Sequence, residues 1–329
     1  MESLTYTPAT RQDGPVTDGH DADRSTSGRR LGQRGQRGQR GQGRRGRAWL
    51  GFLAPFAVAF VAFYLVPIGY AVYQSLLRVQ RVGGVFGTTH QVFAGASQYS
   101  ALLGDHAFRV SVGRVILFGV VQIPVMTTVA LALALLLDSK VVRFRRFFRL
   151  SFFVPYAVPG VIAAIMWGSL YAPNLSPLAD LGVHTDFLSS RLVLWSIANV
   201  GLWAYAGYNM LIMYAALQAV PPQIYEAAAI DGAGDLAIAW RIKIPLLRPA
   251  IVLTAVFSII GCLQLFTEPE VFRSVTANIS STYTPNLAAY STAAGNNYNA
   301  AAAMSVTLAA VTCVLSFGFL RFAQRRFQA

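Results

Sequence analysis

Few side chains in this sequence are equipped for chemistry, and those that are fall into two groups. One is a set of hydrogen-bonding groups and phenols lodged in apolar surroundings: Tyr205, Tyr208, Asn209 and Gln264, with Glu268 close behind. Such groups bind rather than react, because amides pair with the hydroxyls of a ligand and phenol rings offer flat apolar faces. The same residue types also build interfacial aromatic belts and tie helices together, and that use stays open for each of the five. The other group is a charged interruption, "EAAAIDGAGDLAIAWRIKIP" at residues 226–245, set between long apolar stretches. Both charge signs and two glycines make it unfit for hydrocarbon. Its runs of Ala, Leu and Ile are equally unlike a solvated loop, so it has to rest on a partner or on lipid headgroups.

Groups that would point to a reaction are missing. Lys140 and Lys243 are the two lysines, and neither stands in G-x-x-x-x-G-K-[ST], so the chain has no phosphate-cradling loop and draws any ATP-derived energy from another chain. Cys262 and Cys313 lie in apolar stretches, and His90 and His106 stand apart from Cys or clustered carboxylates. The expectation is no catalytic residue, no metal, no cofactor and no disulfide framework.

The interruption has a readable local structure. Pro221 and Pro222 end an apolar stretch and suit the start of a helix, where the missing N–H costs nothing. Residues 223–230 read as a short helix with Glu226 and Ile230 on one face and Glu226 near its positive end. Asp231-Gly232 is a turn signal, and a second short helix is expected to run to Pro245.

Apolar stretches of membrane length must hold these pieces. Hydrophobic residues make up 54% of the 329 and charged residues 12%, and mean hydropathy is positive, which together mark a membrane protein. Charge-free intervals long enough for about 20 apolar residues place spans at about 49–77, 115–137, 150–172, 193–217, 249–267 and 300–320. The fold class is therefore an all-α integral membrane protein with six transmembrane helices and a cytoplasmic helix-turn-helix loop over 221–248. Six spans put both termini on one side. With the termini inside, inner segments carry 21 Lys and Arg and outer segments 6, so both termini are expected in the cytoplasm. Residues 1–47, ending in "GQRGQRGQRGQGRRGR", read as a disordered basic tail attracted to anionic lipid; lacking aromatic residues between Arg24 and Arg47, it is not expected to bind nucleic acid. Pro155, Pro159 and Gly160 fall inside the third span and predict a bend.

E-A-A, three residues, Gly, nine residues, Ile, one residue, an aliphatic and Pro is a long pattern, and here the sequence resembles the membrane subunits of binding-protein-dependent ABC importers. Glu226, Ala227, Ala228, Gly232, Ile242 and Pro245 fit the signature loop, with Asp231 and Ala233 flanking the glycine. The resemblance implies that this loop docks into a cleft of a cytoplasmic ATPase and passes its closure to the membrane helices. "LAPFAVAFVAFYLVPIGYAVYQSL", "FRRFFRLSFFVPYAVPGVIAAIMW", "LWAYAGYNMLIMYAALQAVP" and "NYNAAAAMSVTLAAV" resemble segments of the carbohydrate branch, the maltose- and glycerol-phosphate-importer-like permeases, over about 48–329. Leu236 and Ala239 stand where large residues are common, Trp240 is displaced by one position, and Arg114 replaces a common Asn.

What the resemblance implies is a sugar permease subunit of the bacterial cell membrane. It would work with a second permease subunit, two copies of an ABC ATPase and an extracytoplasmic solute-binding protein, and Tyr205, Tyr208, Asn209, Gln264 and Glu268 would line the sugar path. The alternative class is a self-contained secondary transporter of a small polar solute, which would normally carry paired intramembrane charges and inverted repeats.

Overall fold

The computed structural model describes residues 53–82, 88–139, 141–172, 182 and 185–328. The basic tail at 1–47 and Lys140 lie outside the described residues. The chain divides into two compact units, Met1–Tyr64 and Leu65–Ala329. In the first, an exposed helical run stacks Phe56 on Phe60 and Phe60 on Tyr64, with centroids 6.0 and 5.4 Å apart.

The second unit is mostly helical. Its elements are α1 (Val66–Ser75), β1 (Leu77–Val82), β2 (Thr88–Phe93), α2 (Ser97–Gly104), α3 (His106–Asp138), α4 (Arg145–Ala157), α5 (Gly160–Tyr171), α6 (Val193–Gln218), α7 (Pro222–Ile230), α8 (Asp235–Ile238), α9 (Arg248–Leu263), α10 (Thr267–Phe272), α11 (Pro285–Ala294) and α12 (Tyr298–Gln328). Among the described residues, five helical stretches are long and apolar enough to cross a membrane: Leu53–Ser75, His106–Asp138, Val193–Gln218, Arg248–Phe272 and Tyr298–Arg325. The pair α4 and α5 makes a sixth if counted as one broken span.

That pair places a break inside the third span expected over 150–172, at the prolines that predict a bend there. Its two halves meet at 93°. The cause is local: Val158 precedes a proline and is forced extended (φ −74°, ψ 126°), which ends α4, and Pro159 then leads into α5. A correction concerns the all-α class. "LRVQRV" and "TTHQVF" pair antiparallel with Leu77 opposite Phe93, and their Val, Thr and Phe residues suit a strand better than a helix.

The core runs along α3 and α6. Towards the Asp138 end of α3, Ala130, Ala134, Met210, Met213, Leu217 and Leu247 are almost fully buried, and the alanines let the helices approach closely. Towards the other end, Phe118, Val193, Ile197, Phe272 and Leu287 form a second cluster. Buried polar groups fasten the helices: Gln122 donates to the Ala198 carbonyl at 3.0 Å and Asn199 to the Tyr171 hydroxyl at 2.8 Å. Arg114 donates to the Tyr283 carbonyl at 2.6 Å and lies 4.1 Å from that ring's centroid, tying α3 to the segment before α11.

Candidate functional site

The fifth apolar stretch does not run through as one helix. α9 stops at Leu263 and α10 begins at Thr267, leaving Gln264, Leu265 and Phe266 as a break. Backbone carbonyls freed by a break at membrane depth need partners. Thr284 supplies one, donating to the Leu265 carbonyl at 3.0 Å, and Asn286 another, donating to Leu263 at 3.2 Å. The open side of the break faces a cavity.

This cavity has a volume of about 380 Å³, within the range that accepts a small organic solute. Tyr205, Tyr208, Asn209, Gln264 and Glu268 all line it, so residues up to 63 positions apart in sequence share one space. Tyr156 completes an aromatic wall, stacked on Tyr208 at 4.7 Å and edge-on to Tyr205 at 6.0 Å. Asn209 donates to the Tyr205 carbonyl at 3.0 Å, while its own side-chain oxygen is buried with no hydrogen-bond partner among the described residues. An unpaired buried acceptor is costly unless a ligand or water completes it. Among the described residues, the lining includes no Lys, Arg or His. Phenol faces, amides, a carboxylate and a free acceptor suit a ligand rich in hydroxyl donors.

Tyr156 and Gln122 line the cavity and were missed in sequence. Tyr156 sits between Pro155 and Pro159, and the proline pair that bends α4 away from α5 was the available signal. Gln122 lies mid-helix in α3, where a lone amide in an apolar run was the clue.

The charged interruption is α7, a turn and α8. Pro221 and Pro222 start α7, and Ile230 ends it. The Gly232 N–H bonds the Ala229 carbonyl at 3.1 Å and the Ala233 N–H bonds Ala228 at 2.9 Å. These two bonds close the helix end, and Gly232 at φ +83° supplies the left-handed residue they require. The spacing from Ala228 to Gly232 and Ala233 is thus a helix stop. Glu226 is the fifth residue of α7 and the first turn contains no acid, so its expected role at the positive helix end is withdrawn.

Beyond α8 the helix does not stop at Pro245 either. Ala239–Lys243, which includes Ile242, widens into a π-helical turn and Ile244–Leu246 leads on towards α9. The wide turn just before Pro245 relieves the clash of a proline ring with the preceding turn. One side of this assembly is pinned. Lys243 pairs with Asp138 at the end of α3, Gln218 at the end of α6 donates to the same carboxylate at 2.8 Å, and the Lys243 ammonium lies 5.0 Å from the Tyr225 ring. Burial, and then the Asp138 charge, push the Tyr225 phenol above its ordinary range. The other side projects: Ile230, Leu236 and Trp240 are 87%, 74% and 66% exposed. Glu226, Ala227, Asp231 and Gly232 are exposed beside them, and Ala228 and Ala233 half-buried.

A helical membrane domain with a polar cavity at a broken span and a projecting helix pair at its end belongs to the class of membrane transport components. Residues 126–329 match the family described as "Binding-protein-dependent transport system inner membrane component", and the chain belongs to that family. It is a transport subunit and not an enzyme. The chain is 31% identical over 283 residues to an sn-glycerol-3-phosphate transport system permease protein of Rhizobium meliloti, covering 83% of this chain and 94% of that one. It is 33% identical over 239 residues to a lactose transport system permease protein of Rhizobium radiobacter, covering 68% and 79%. A crystal structure of a bacterial ABC transporter involved in the import of the acidic polysaccharide alginate contains a chain of similar fold. The TM-score is 0.74 at 18% identity, over 87% of this chain and 99% of that one.

Proposed function

We propose that the chain forms half of the translocation path of an ATP-driven sugar importer of the bacterial cell membrane. A second permease subunit forms the other half, a solute-binding protein delivers from outside, and two copies of a separate ATPase supply the energy. The carrying observation is the cavity at the broken fifth span, where three phenols, three amides and one carboxylate converge around a buried acceptor without a partner. A sugar presents hydroxyl donors to such acceptors and apolar ring faces to such phenols. The transport systems named for relatives of this chain include those for lactose and for arabinooligosaccharides, which supports the same solute class.

Coupling to the ATPase is assigned to α7, the Gly232 turn, α8 and the π-helical turn, with Glu226, Ala227, Ala228, Asp231, Gly232, Ala233, Ile242 and Pro245 as its defining positions. Exposed Ile230, Leu236 and Trp240 give a docking partner apolar area to cover, and Trp240 is the anchor that stands in for the large residues absent at Leu236 and Ala239. Both termini lie in the cytoplasm with this loop.

The test is a pair of substitutions. Gly232→Trp holds the two surfaces apart, and Glu226→Lys reverses an exposed charge on the docking face. Both chains should reach the membrane in normal amount, lose ATP-driven sugar uptake and bring down less ATPase on purification, with external sugar binding unchanged. Full uptake together with full ATPase association in both variants would refute the coupling assignment.

A further inference from the structure

A second cavity, of about 830 Å³, lies among α1, β2, α11 and α12. It brings together three phenols, Tyr70, Tyr290 and Tyr298, and three amides, Gln74, Gln91 and Asn286, with several alanines, and among the described residues its lining carries no charged side chain. Part of this polar wall is held in place: Gln74 donates to the Tyr70 hydroxyl at 2.6 Å and accepts from Asn299 at 2.9 Å. Aromatic faces beside neutral amides repeat the chemistry of the inner cavity in a space about twice as large.

One residue lines both spaces. Phe266, in the break between α9 and α10, is part of the wall of the inner cavity and of the second one. Its ring packs edge-to-face on Tyr290 of α11, with centroids 5.1 Å apart, and Tyr290 lines the second cavity alone. The partition is therefore an aromatic pair carried partly on non-helical backbone. Edge-to-face ring contacts are weak and reversible, unlike the hydrogen bonds from Thr284 and Asn286 that secure the same break.

We propose that the second cavity is a staging site for a neutral polyhydroxylated solute, and that Phe266 and Tyr290 form the movable partition through which the solute enters the inner cavity. The inference rests on the reading of the inner cavity as the solute path. The second cavity, more open than the inner one, has room for a solute to orient against phenol faces, and the Phe266 ring has to swing off Tyr290 to admit it.

The test places cysteines at Phe266 and Tyr290 in a chain whose Cys262 and Cys313 are serines. The importer, purified with its co-purifying subunits, is put into proteoliposomes, and ATP-dependent uptake of radiolabelled lactose, arabinotriose and glycerol 3-phosphate is followed. A short bis-methanethiosulfonate bridge between the two cysteines should lower uptake at least tenfold, and reductant should restore it. A one-armed reagent of the same chemistry should leave most uptake in place. Unchanged uptake across a complete bridge overturns the partition. Should the double-cysteine chain fail to reach the membrane, Ala302→Trp fills the second cavity without touching the inner one; it should also cut uptake tenfold, and full uptake would overturn the staging site. The underlying reading fails separately and visibly. If the unmodified importer carries glycerol 3-phosphate and neither sugar, the neutral solute class is wrong while the bridge still tests the partition. If it carries nothing, the solute path and the staging site both fall.

Discussion

Gly207 marks a tight approach of α6 to α4: a Cβ added there would lie 1.7 Å from the Phe152 carbonyl oxygen and 2.4 Å from its carbon. Backbone cannot step aside as a flexible side chain can, so Gly207→Ala should force the two helices apart at a cost of about 3 kcal/mol or more. Thermal unfolding of the purified chain and its abundance in the membrane should both fall, and an unchanged melting temperature would show the approach to be looser than described. Gly201 is the contrast within the same helix, since its added Cβ would meet only the Gln122 side chain at 3.5 Å; Gly201→Ala should be tolerated. Gly232 differs again. Nothing lies within 4 Å of its added Cβ, but φ is +83°, so Gly232→Ala should cost only the roughly 1–2 kcal/mol of left-handed backbone. Its effect should appear in uptake before it appears in abundance.

The elements are joined at a few polar points whose loss can be measured. Asp138 and Lys243 are 12% and 16% exposed, and Gln218 shares the carboxylate, so this contact links the ends of α3 and α6 to the segment between α8 and α9. Asp138→Asn strands the Lys243 ammonium in partly buried surroundings and should cost about 2 kcal/mol. A cycle with Lys243→Met should return a coupling energy of about 1 kcal/mol or more by denaturant titration, whereas additive effects would mean the pair contributes nothing. The break between α9 and α10 depends on Thr284, which donates to the Leu265 carbonyl and accepts from the Leu287 N–H at the start of α11. Thr284→Val removes both and should destabilise by about 1–3 kcal/mol. Hydrogen exchange at Leu287 should quicken, and a protected amide there would argue that the cap is unimportant.

Across the whole molecule, sidedness is the quantity that most needs measurement. The proposed orientation rests on the excess of Lys and Arg in segments 1–48, 138–149, 218–248 and 321–329. Single cysteines at Ser189 and Thr282, in a chain lacking Cys262 and Cys313, should react with an impermeant thiol reagent added outside, and one at Ser139 should not. Structural ties support grouping the first two. Thr276 and Asn278, in the segment that holds Thr282, both donate to the carbonyl of Leu188, while Ser139 caps the far end of α3. The opposite labelling pattern would invert the topology and place the α7–α8 loop outside. Large apolar side chains on α4 and α5, among them Phe147, Leu150, Ile162 and Ile165, are more than half exposed, an apolar area suited to lipid or a partner chain.

The sequence by itself determined the membrane class, the family and several of the helix ends, because each of these is written in local signals. Runs without charge give spans, Asp231-Gly232 gives a helix end, and Pro155, Pro159 and Gly160 give a bend in the third span. It also singled out Tyr205, Tyr208, Asn209, Gln264 and Glu268 as groups out of place in hydrocarbon. What it left open was whether they met, since a phenol in a lipid belt and a phenol in a cavity have the same local signature. Tertiary structure decided that by breaking the fifth span at Gln264 and bending α4 from α5, which bring Tyr156 and the five onto one space. It likewise decided the size of the bend, 93°, the contact of Phe266 with Tyr290 and the pairing of Asp138 with Lys243, 105 residues apart. Contacts between distant segments depend on which faces pack together, and no local pattern records that choice.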